Sequence, residues 1–381
     1  MTGPPLPRDD FGVTTTLVYL NHAAVGVLPR PSVVALQAFL EAQASGGVLG
    51  TAPYEMRMPE YRERLARYIG ASGEEIALLR STSEGASAIA GGIDWKPGDE
   101  LILCDNEFPS NVIPWLPIRE RGAHVRFLDA SRERLTPAVL EKTIGERTRV
   151  VAVSWVSYHD GYRHDLAGLA EVAHRHGAWL CVDAIQGLGA FPLDVRAAGV
   201  DALYGAGAKW MLALQGAGFL YVREDLIDRL TVASPGWRSV ADMWDFHAYE
   251  QPWSPHALRY EGGTPNFIGA LSLERAVDLF ERCGPDRIAA HVLALTDRLH
   301  EGLLRAGAEV PTQRGAGISS GIVTFRMPGR DSVELGRAMQ REGIVTTWRP
   351  SGIRVAPHGY NSLDEIDTAL DVLGGLVKGT R

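Results

Sequence analysis

The sequence predicts an α/β fold, with a mixed, mostly parallel sheet covered by helices and followed by a smaller C-terminal α+β domain. Three observations carry that expectation. From Ile76 to Val222 short β-rich apolar runs alternate with stretches of helical periodicity, which is the pattern of strands joined by crossover helices. From Arg223 to Gly263 the pattern becomes irregular around Trp237, Trp244, Pro252, Trp253 and Pro255. The length, 381 residues, exceeds one ordinary domain. The division expected is a large domain over 16–263 and a smaller one over 264–381, with residues 1–15 extended and packed on the small domain.

In chain order, the strands expected are Ile76 to Leu79, Leu101 to Cys104, Val125 to Leu128, Val150 to Ser154, Leu180 to Asp183 and Gly218 to Val222. Each is a short apolar run bounded by polar or turn-forming residues. Helical periodicity fills Ser110 to Arg121, Pro137 to Ile144 and Leu166 to His176. Beyond the irregular stretch come helices Asn266 to Cys283 and Pro285 to Ala306, a β-like run Gly321 to Arg326, helix Ser332 to Glu342, a β-like run Ile344 to Trp348 and helix Leu363 to Val377. In a sheet of this kind functional residues collect at the carboxyl ends of the strands.

Composition narrows the function. Hydrophobic residues at 45% and charged residues at 22% are ordinary for a globular chain, and a net charge of −8 argues against a surface for nucleic acid or anionic membrane. The partner expected is therefore a small molecule, with no nucleic acid and no membrane. Met1 to Asp10 carries prolines and acids but no basic stretch leading into an apolar one, so it does not read as a secretory signal. No uninterrupted apolar run reaches the length of a membrane span. Cys104, Cys181 and Cys283 are the only cysteines and no pair has metal-ligand spacing, so neither a disulfide framework nor a metal site is expected, and the cytoplasm is the compartment expected.

Lys209 carries the most chemical information. It follows the apolar run Trp179 to Val182 and the polar Asp183 to Gln186 by about one strand-crossover-strand step. A lysine can hold pyridoxal 5'-phosphate as a Schiff base, and a carboxylate at a strand end, here Asp183, can pair with the ring nitrogen and keep it protonated. Gln186 would reach the phenolic oxygen. Tyr204 to Ala208 are mostly small, which lets a flat ring approach, and an apolar setting would lower the amine's pKa. The segment Arg80 to Ser87 lies where a strand-like run meets a helix-like one, so Thr82 and Ser83 would present hydroxyls and helix-start amides to a phosphate. Each feature has a plainer reading. The same residues would serve as an ordinary helix cap, a turn aspartate and a solvated lysine, and only their combination points to a cofactor. The glycines near Lys209 do not form a dinucleotide fingerprint, since Trp210 stands where the third glycine would be; a nucleotide-dependent oxidoreductase is thereby disfavoured.

The chain resembles the class V aminotransferase group of fold-type I pyridoxal phosphate enzymes, which includes cysteine desulfurases and isopenicillin-N-epimerase-like proteins. The motifs, in the family's order, are Tyr19 to Ala24, Asn106 to Asn111, Val182 to Gly187, Ala208 to Trp210, Glu261 to Asn266 and Ile353 to Asn361. The resemblance implies that Phe108 stacks on the ring, Asp183 pairs with its nitrogen, Gln186 bonds its phenolic oxygen and Lys209 holds it covalently. It also implies that Gly263 and Thr264 reach the phosphate from a partner subunit, so that a homodimer shares its active sites. Arg354 is the candidate anchor for a substrate α-carboxylate, because a guanidinium offers two parallel donors; a structural ion pair is the alternative. Arg349 is a second candidate, or part of a stacked wall with Trp348. Asn21 and His22 resemble residues bordering the substrate pocket. His22 would act as an acid or base if its proton can reach the substrate, or else is a buried, hydrogen-bonded histidine.

Two departures matter. Relatives often place phosphate-binding side chains where this chain has Ala206 and Ala208, leaving that grip to Thr82, Ser83 and Thr264. Cysteine desulfurases use a mobile cysteine shortly before the C-terminal arginine motif, and this chain has none between Glu309 and Arg381. The function expected is a reaction on an α-amino acid through a Cα carbanion, either a C–S lyase, desulfurase-like or epimerase-like reaction without a persulfide cysteine. The alternatives are an aminotransferase with a 2-oxo acid acceptor and a non-catalytic binding protein that keeps the fold.

Overall fold

The computed structural model describes residues 3–130 and 132–379. A short strand, β1 (Val18–Tyr19), precedes three helices, α1 (Arg30–Gly46), α2 (Val48–Met56) and α3 (Met58–Tyr68). Then come β2 (Ile76–Leu79), α4 (Thr82–Gly92), β3 (Glu100–Cys104), β4 (His124–Leu128), α5 (Pro137–Thr143), β5 (Thr148–Ser154) and α6 (Leu166–Arg175). They are followed by β6 (Trp179–Asp183), β7 (Ala202–Ala206), β8 (Gly218–Val222) and α7 (Glu224–Ile227). The last part holds α8 (Phe267–Cys283), α9 (Pro285–Arg305), β9 (Val323–Phe325), α10 (Ser332–Arg341), β10 (Ile344–Val345), β11 (Thr347–Arg349), β12 (Gly352–Val355) and α11 (Leu363–Lys378).

The main sheet has the order β2-β8-β7-β6-β5-β3-β4. Only β8 runs against its neighbours, pairing antiparallel with both β2 and β7. Strands covered on both faces read as continuous apolar runs, and β7 and β8 are buried at every residue. β2 and β4 are the edge strands; β4 leaves His124, Arg126 and Phe127 exposed, and the charge there discourages pairing with another chain. A second, three-stranded antiparallel sheet has the order β11-β12-β9, and β1 pairs in parallel with β10. The fold is thus the mixed, mostly parallel α/β sheet expected.

Several elements differ from the sequence expectation. Ser110 to Arg121 is not an α-helix but two 3-10 stretches, Pro109–Asn111 and Ile113–Arg121. Pro114 and Pro117 lie in the second stretch, and a ring nitrogen without hydrogen cannot complete α-helical bonds. β7 was not among the strands expected. Ile344 to Trp348 is split between β10 and β11. The segment from Arg8 to Thr15 makes two 3-10 turns rather than an extended run, and Arg8 pairs with Glu365 on α11 at 2.9 Å; Met1 and Thr2 lie outside the described residues. α8, which the sequence reading assigned to the second domain, buries Ala270, Leu273, Val277 and Phe280 in the larger core. Among the described residues, no helix is long and apolar enough to cross a membrane, and no cluster of His, Cys, Asp and Glu is placed to hold a metal ion.

Candidate active site

Of the sequence-selected residues, Asp183 and Lys209 lie at the carboxyl ends of neighbouring strands. Asp183 is the last residue of β6, and β6 pairs in parallel with β7, which leads directly into the turn carrying Lys209. That turn is tightly held. The Lys209 carbonyl accepts from Leu212 N at 3.1 Å, and Ala213 N donates to the Gly207 carbonyl at 2.8 Å. Leu212 adopts φ 52°, a left-handed conformation costing a side-chain-bearing residue about 1 kcal/mol. Gly26 lies across the same turn, where a Cβ would stand 2.1 Å from the Lys209 carbonyl oxygen, so no larger residue fits. Trp210 is buried; its Nε1 donates to Gln186 Oε1 at 2.9 Å, and its carbonyl accepts from His358 Nε2 at 2.8 Å.

Electrostatics follow from this burial. Asp183 is 1% exposed, and burial raises its pKa to about 6, against the lowering effects of the Ile185 amide at 3.0 Å and the Lys209 cation. Lys209 is brought down to about 8, first by burial and then by the cations Arg354 and Arg349, while Asp183 pulls the other way. Lys209 Nζ lies 5.4 Å from the centre of the Phe108 ring, which is 36% exposed and free to cover a flat ligand. Gln186 spends one amide hydrogen on the Ala23 carbonyl at 3.0 Å, keeping a second donor.

Phe108 is held by its neighbours. Glu107 accepts from Ser154 N at 2.7 Å, from the Ser154 hydroxyl and from Asn111 Nδ2 at 3.1 Å; Asn111 Oδ1 in turn accepts from the Tyr204 hydroxyl. Burial raises Glu107 to about 7. This network fastens the segment to β5 and β7. It also places the Ser110 hydroxyl 3.5 Å from Asp183 Oδ2. Glu107 and Ser110 lay inside a motif that the sequence singled out, but their partners come from other strands and were not readable.

Arg354, on β12, is 8% exposed. Its Nη1 donates to the Tyr158 carbonyl at 2.9 Å and its Nη2 lies 3.5 Å from Thr347 Oγ1, while Nε has no partner. Among the described residues no carboxylate pairs with it, and burial together with the Arg349 cation lowers its pKa to about 10. The Asn21 side chain accepts from the Thr347 hydroxyl at 2.6 Å, which places it one step from Arg354.

His22 is a correction to the expectation of an acid or base. It is wholly buried, donating from Nδ1 to the Ala356 carbonyl at 2.9 Å, so that Nε2 accepts from the Tyr360 hydroxyl at 2.8 Å. With both nitrogens engaged, and burial holding its pKa well below the usual histidine value, its one ring proton is committed to the Ala356 carbonyl. It seats the chain's start against the residues around Trp210.

A phosphate-bearing pyridine fits this site. Thr82 opens α4, and its buried Oγ1 has no partner, an orphaned polar group beside helix-start amides that have no carbonyl of their own. Ser81 caps the helix by accepting from Glu84 N at 3.2 Å, and Gly218 lets β8 come close, since a Cβ there would lie 2.5 Å from Ser81 N. Ser83 faces solvent, and the methyl groups of Ala206 and Ala208 supply no hydrogen bond. Gly263 and Thr264 are not at Lys209 in this chain; they line a separate cavity of about 590 Å³ with Arg80, Glu84 and Asn266. The thiols are poor nucleophiles here. Cys104 is raised to about 12 and Cys181 well above its usual value, both chiefly by burial, and Cys283 is also raised.

The family described as Aminotransferase class-V matches residues 18–361. A probable cysteine desulfurase from Methanothermobacter thermautotrophicus is 32% identical, the match covering 77% of this chain and 74% of that one. One from Pyrococcus abyssi is 29% identical over 98% of both chains. Among solved structures, the apo cysteine desulfurase from Thermococcus onnurineus NA1 superposes with a TM-score of 0.89 at 28% identity, covering 98% of both chains.

Proposed function

Because the chain belongs to the class V aminotransferase family and is a pyridoxal 5'-phosphate-dependent enzyme, we propose that it cleaves a C–S bond in an α-amino acid by β-elimination, without a persulfide cysteine. The observation that carries the reading is the placement of Lys209 and Asp183 at adjoining strand ends, with the unpaired Arg354 facing the same space and no ionisable thiol among them.

The cofactor supplies an aldehyde that condenses with amines and a ring that withdraws electrons from the substrate Cα. Lys209 holds it covalently, Asp183 keeps the ring nitrogen protonated, Phe108 covers one face and Gln186 donates to the phenolic oxygen. Thr82 and Ser83, at the start of α4, bind the phosphate, with Gly263 and Thr264 of a partner subunit completing the grip in a homodimer. Arg354 takes the α-carboxylate on its free donors, with Asn21 bordering the pocket, and so fixes which Cα bond faces Lys209. Lys209, with a pKa near neutrality, then removes the Cα proton. The Cβ–S bond breaks with its electron pair leaving on sulfur. Three free thiols suit a reducing cytoplasm.

The test is product analysis on holoprotein with a panel of thioether and disulfide amino acids. Pyruvate and ammonium from these substrates are expected, and the Lys209→Ala variant should release neither. Transfer of the amino group to an added 2-oxo acid, with no pyruvate formed from the sulfur substrate, would establish the aminotransferase instead. Full turnover in Lys209→Ala would overturn both.

A further inference from the structure

Arg349 and Arg354 line one small recess, and among the described residues neither makes an ion pair. Tyr158, Thr347, Arg349, Ser351 and Arg354 line it. Arg354 is more than nine-tenths buried, with Nε unpartnered. Arg349 is exposed on the adjacent strand, and among the described residues it makes no ion pair; its guanidinium lies 5.7 Å from the centre of the Tyr158 ring. Tyr158 arranges both: its carbonyl holds Arg354 at 2.9 Å, its ring carries Arg349, and that ring meets Phe108 edge-on at 5.1 Å. Both cations act on the Lys209 amine.

A single α-carboxylate accounts for one of these cations. Its two oxygens match the fork of one guanidinium, and the exposed second arginine keeps no acidic partner and repels the first. A substrate with two acidic groups removes that imbalance. We infer that Arg349 selects amino acids whose side chain ends in a carboxylate, so that the preferred substrate is a dianionic thioether of the S-carboxyalkyl-cysteine class. The inference rests on the C–S cleavage reading for its products but not for its binding step. In that reaction Lys209 takes the Cα proton, and the Cβ–S electron pair leaves with sulfur as a carboxylate-bearing thiolate. The remaining enamine takes up water to give pyruvate and ammonium, so no oxidant or reductant is needed.

The test compares S-carboxymethyl-L-cysteine with S-carbamoylmethyl-L-cysteine, which has nearly the same shape but lacks the second charge. Dissociation constants are measured calorimetrically on cofactor-loaded Lys209→Ala protein, where binding occurs without turnover. The acid should bind about tenfold tighter or more, as expected for a charge-assisted bond. Adding Arg349→Ala, or Arg349→Gln as a second variant that keeps a hydrogen-bonding side chain, should bring the two compounds to within about twofold of each other. Equal binding of both compounds to protein with Arg349 intact, or a preference that survives both substitutions, would overturn the inference. A preference that depends on Arg349, with no pyruvate from either compound in the unsubstituted holoenzyme, would support the selectivity and refute the cleavage reading.

Discussion

Lys209 sets the pH at which the site becomes reactive. An ammonium cannot attack an aldehyde, so capture of pyridoxal 5'-phosphate by apoprotein should rise with pH and be half-maximal at about 8, well below an ordinary lysine. Arg354→Ala removes a cation that lowers this value and should move the midpoint upward; Asp183→Asn removes an anion that raises it and should move the midpoint downward. Borohydride-fixed incorporation against pH measures both. Arg354→Ala should also lower kcat/KM for amino acids by roughly 3–6 kcal/mol, the worth of two hydrogen bonds to a charged group, while amines without the carboxylate change little. Lys209, Asp183 and Gln186 were legible because each follows an apolar run. The isolation of Arg354 was not, because an arginine reads the same whether or not an acid folds against it. His22 was legible as part of a motif, but its role depended on burial that no local pattern displays.

Among the elements, α4 carries the clearest test. Thr82→Val keeps the shape and removes only an unpartnered buried hydroxyl, so the apoprotein should be as stable or slightly more so, whereas pyridoxal 5'-phosphate affinity should fall by about tenfold. Urea unfolding of apoprotein and cofactor titration separate the two effects. A loss of apoprotein stability above about 1 kcal/mol would mean the hydroxyl serves the fold rather than a phosphate. Gly26→Ala should act oppositely, disturbing the turn at Lys209 because its new methyl would collide with backbone. Most strands and the long helices of the last part were readable from periodicity. One exception has a local cause: prolines turned an expected helix into 3-10 stretches. The N-terminal helices α1 to α3 were not singled out, and no motif there drew attention to them.

For the whole molecule, acid stability reflects opposing buried groups. Burial depresses His22, His164 and His358, the last two to about 4, and raises Glu107 and Asp183 to about 7 and about 6. Between about pH 6 and 4.5 the unfolded chain binds protons on three histidines that the native apoprotein leaves bare, while the native state keeps protons on two carboxyls that the unfolded chain releases. The depressed histidines outnumber the raised carboxyls, so the unfolded state binds more protons and these groups should lower stability as acidity rises. Urea midpoints across that range check the sign; a flat or rising profile would show that the histidines are charged in the fold. The change of pattern after Val222 is visible in the sequence, but the pairing of distant segments was not, since strand partners hundreds of residues apart leave no local signal. β1 joins β10, and Arg8 meets Glu365 across 357 positions. Residues 8 and 18 are therefore made long before their partners 365 and 344, so in a chain that folds as it is synthesised the closure between these two parts of the fold forms late.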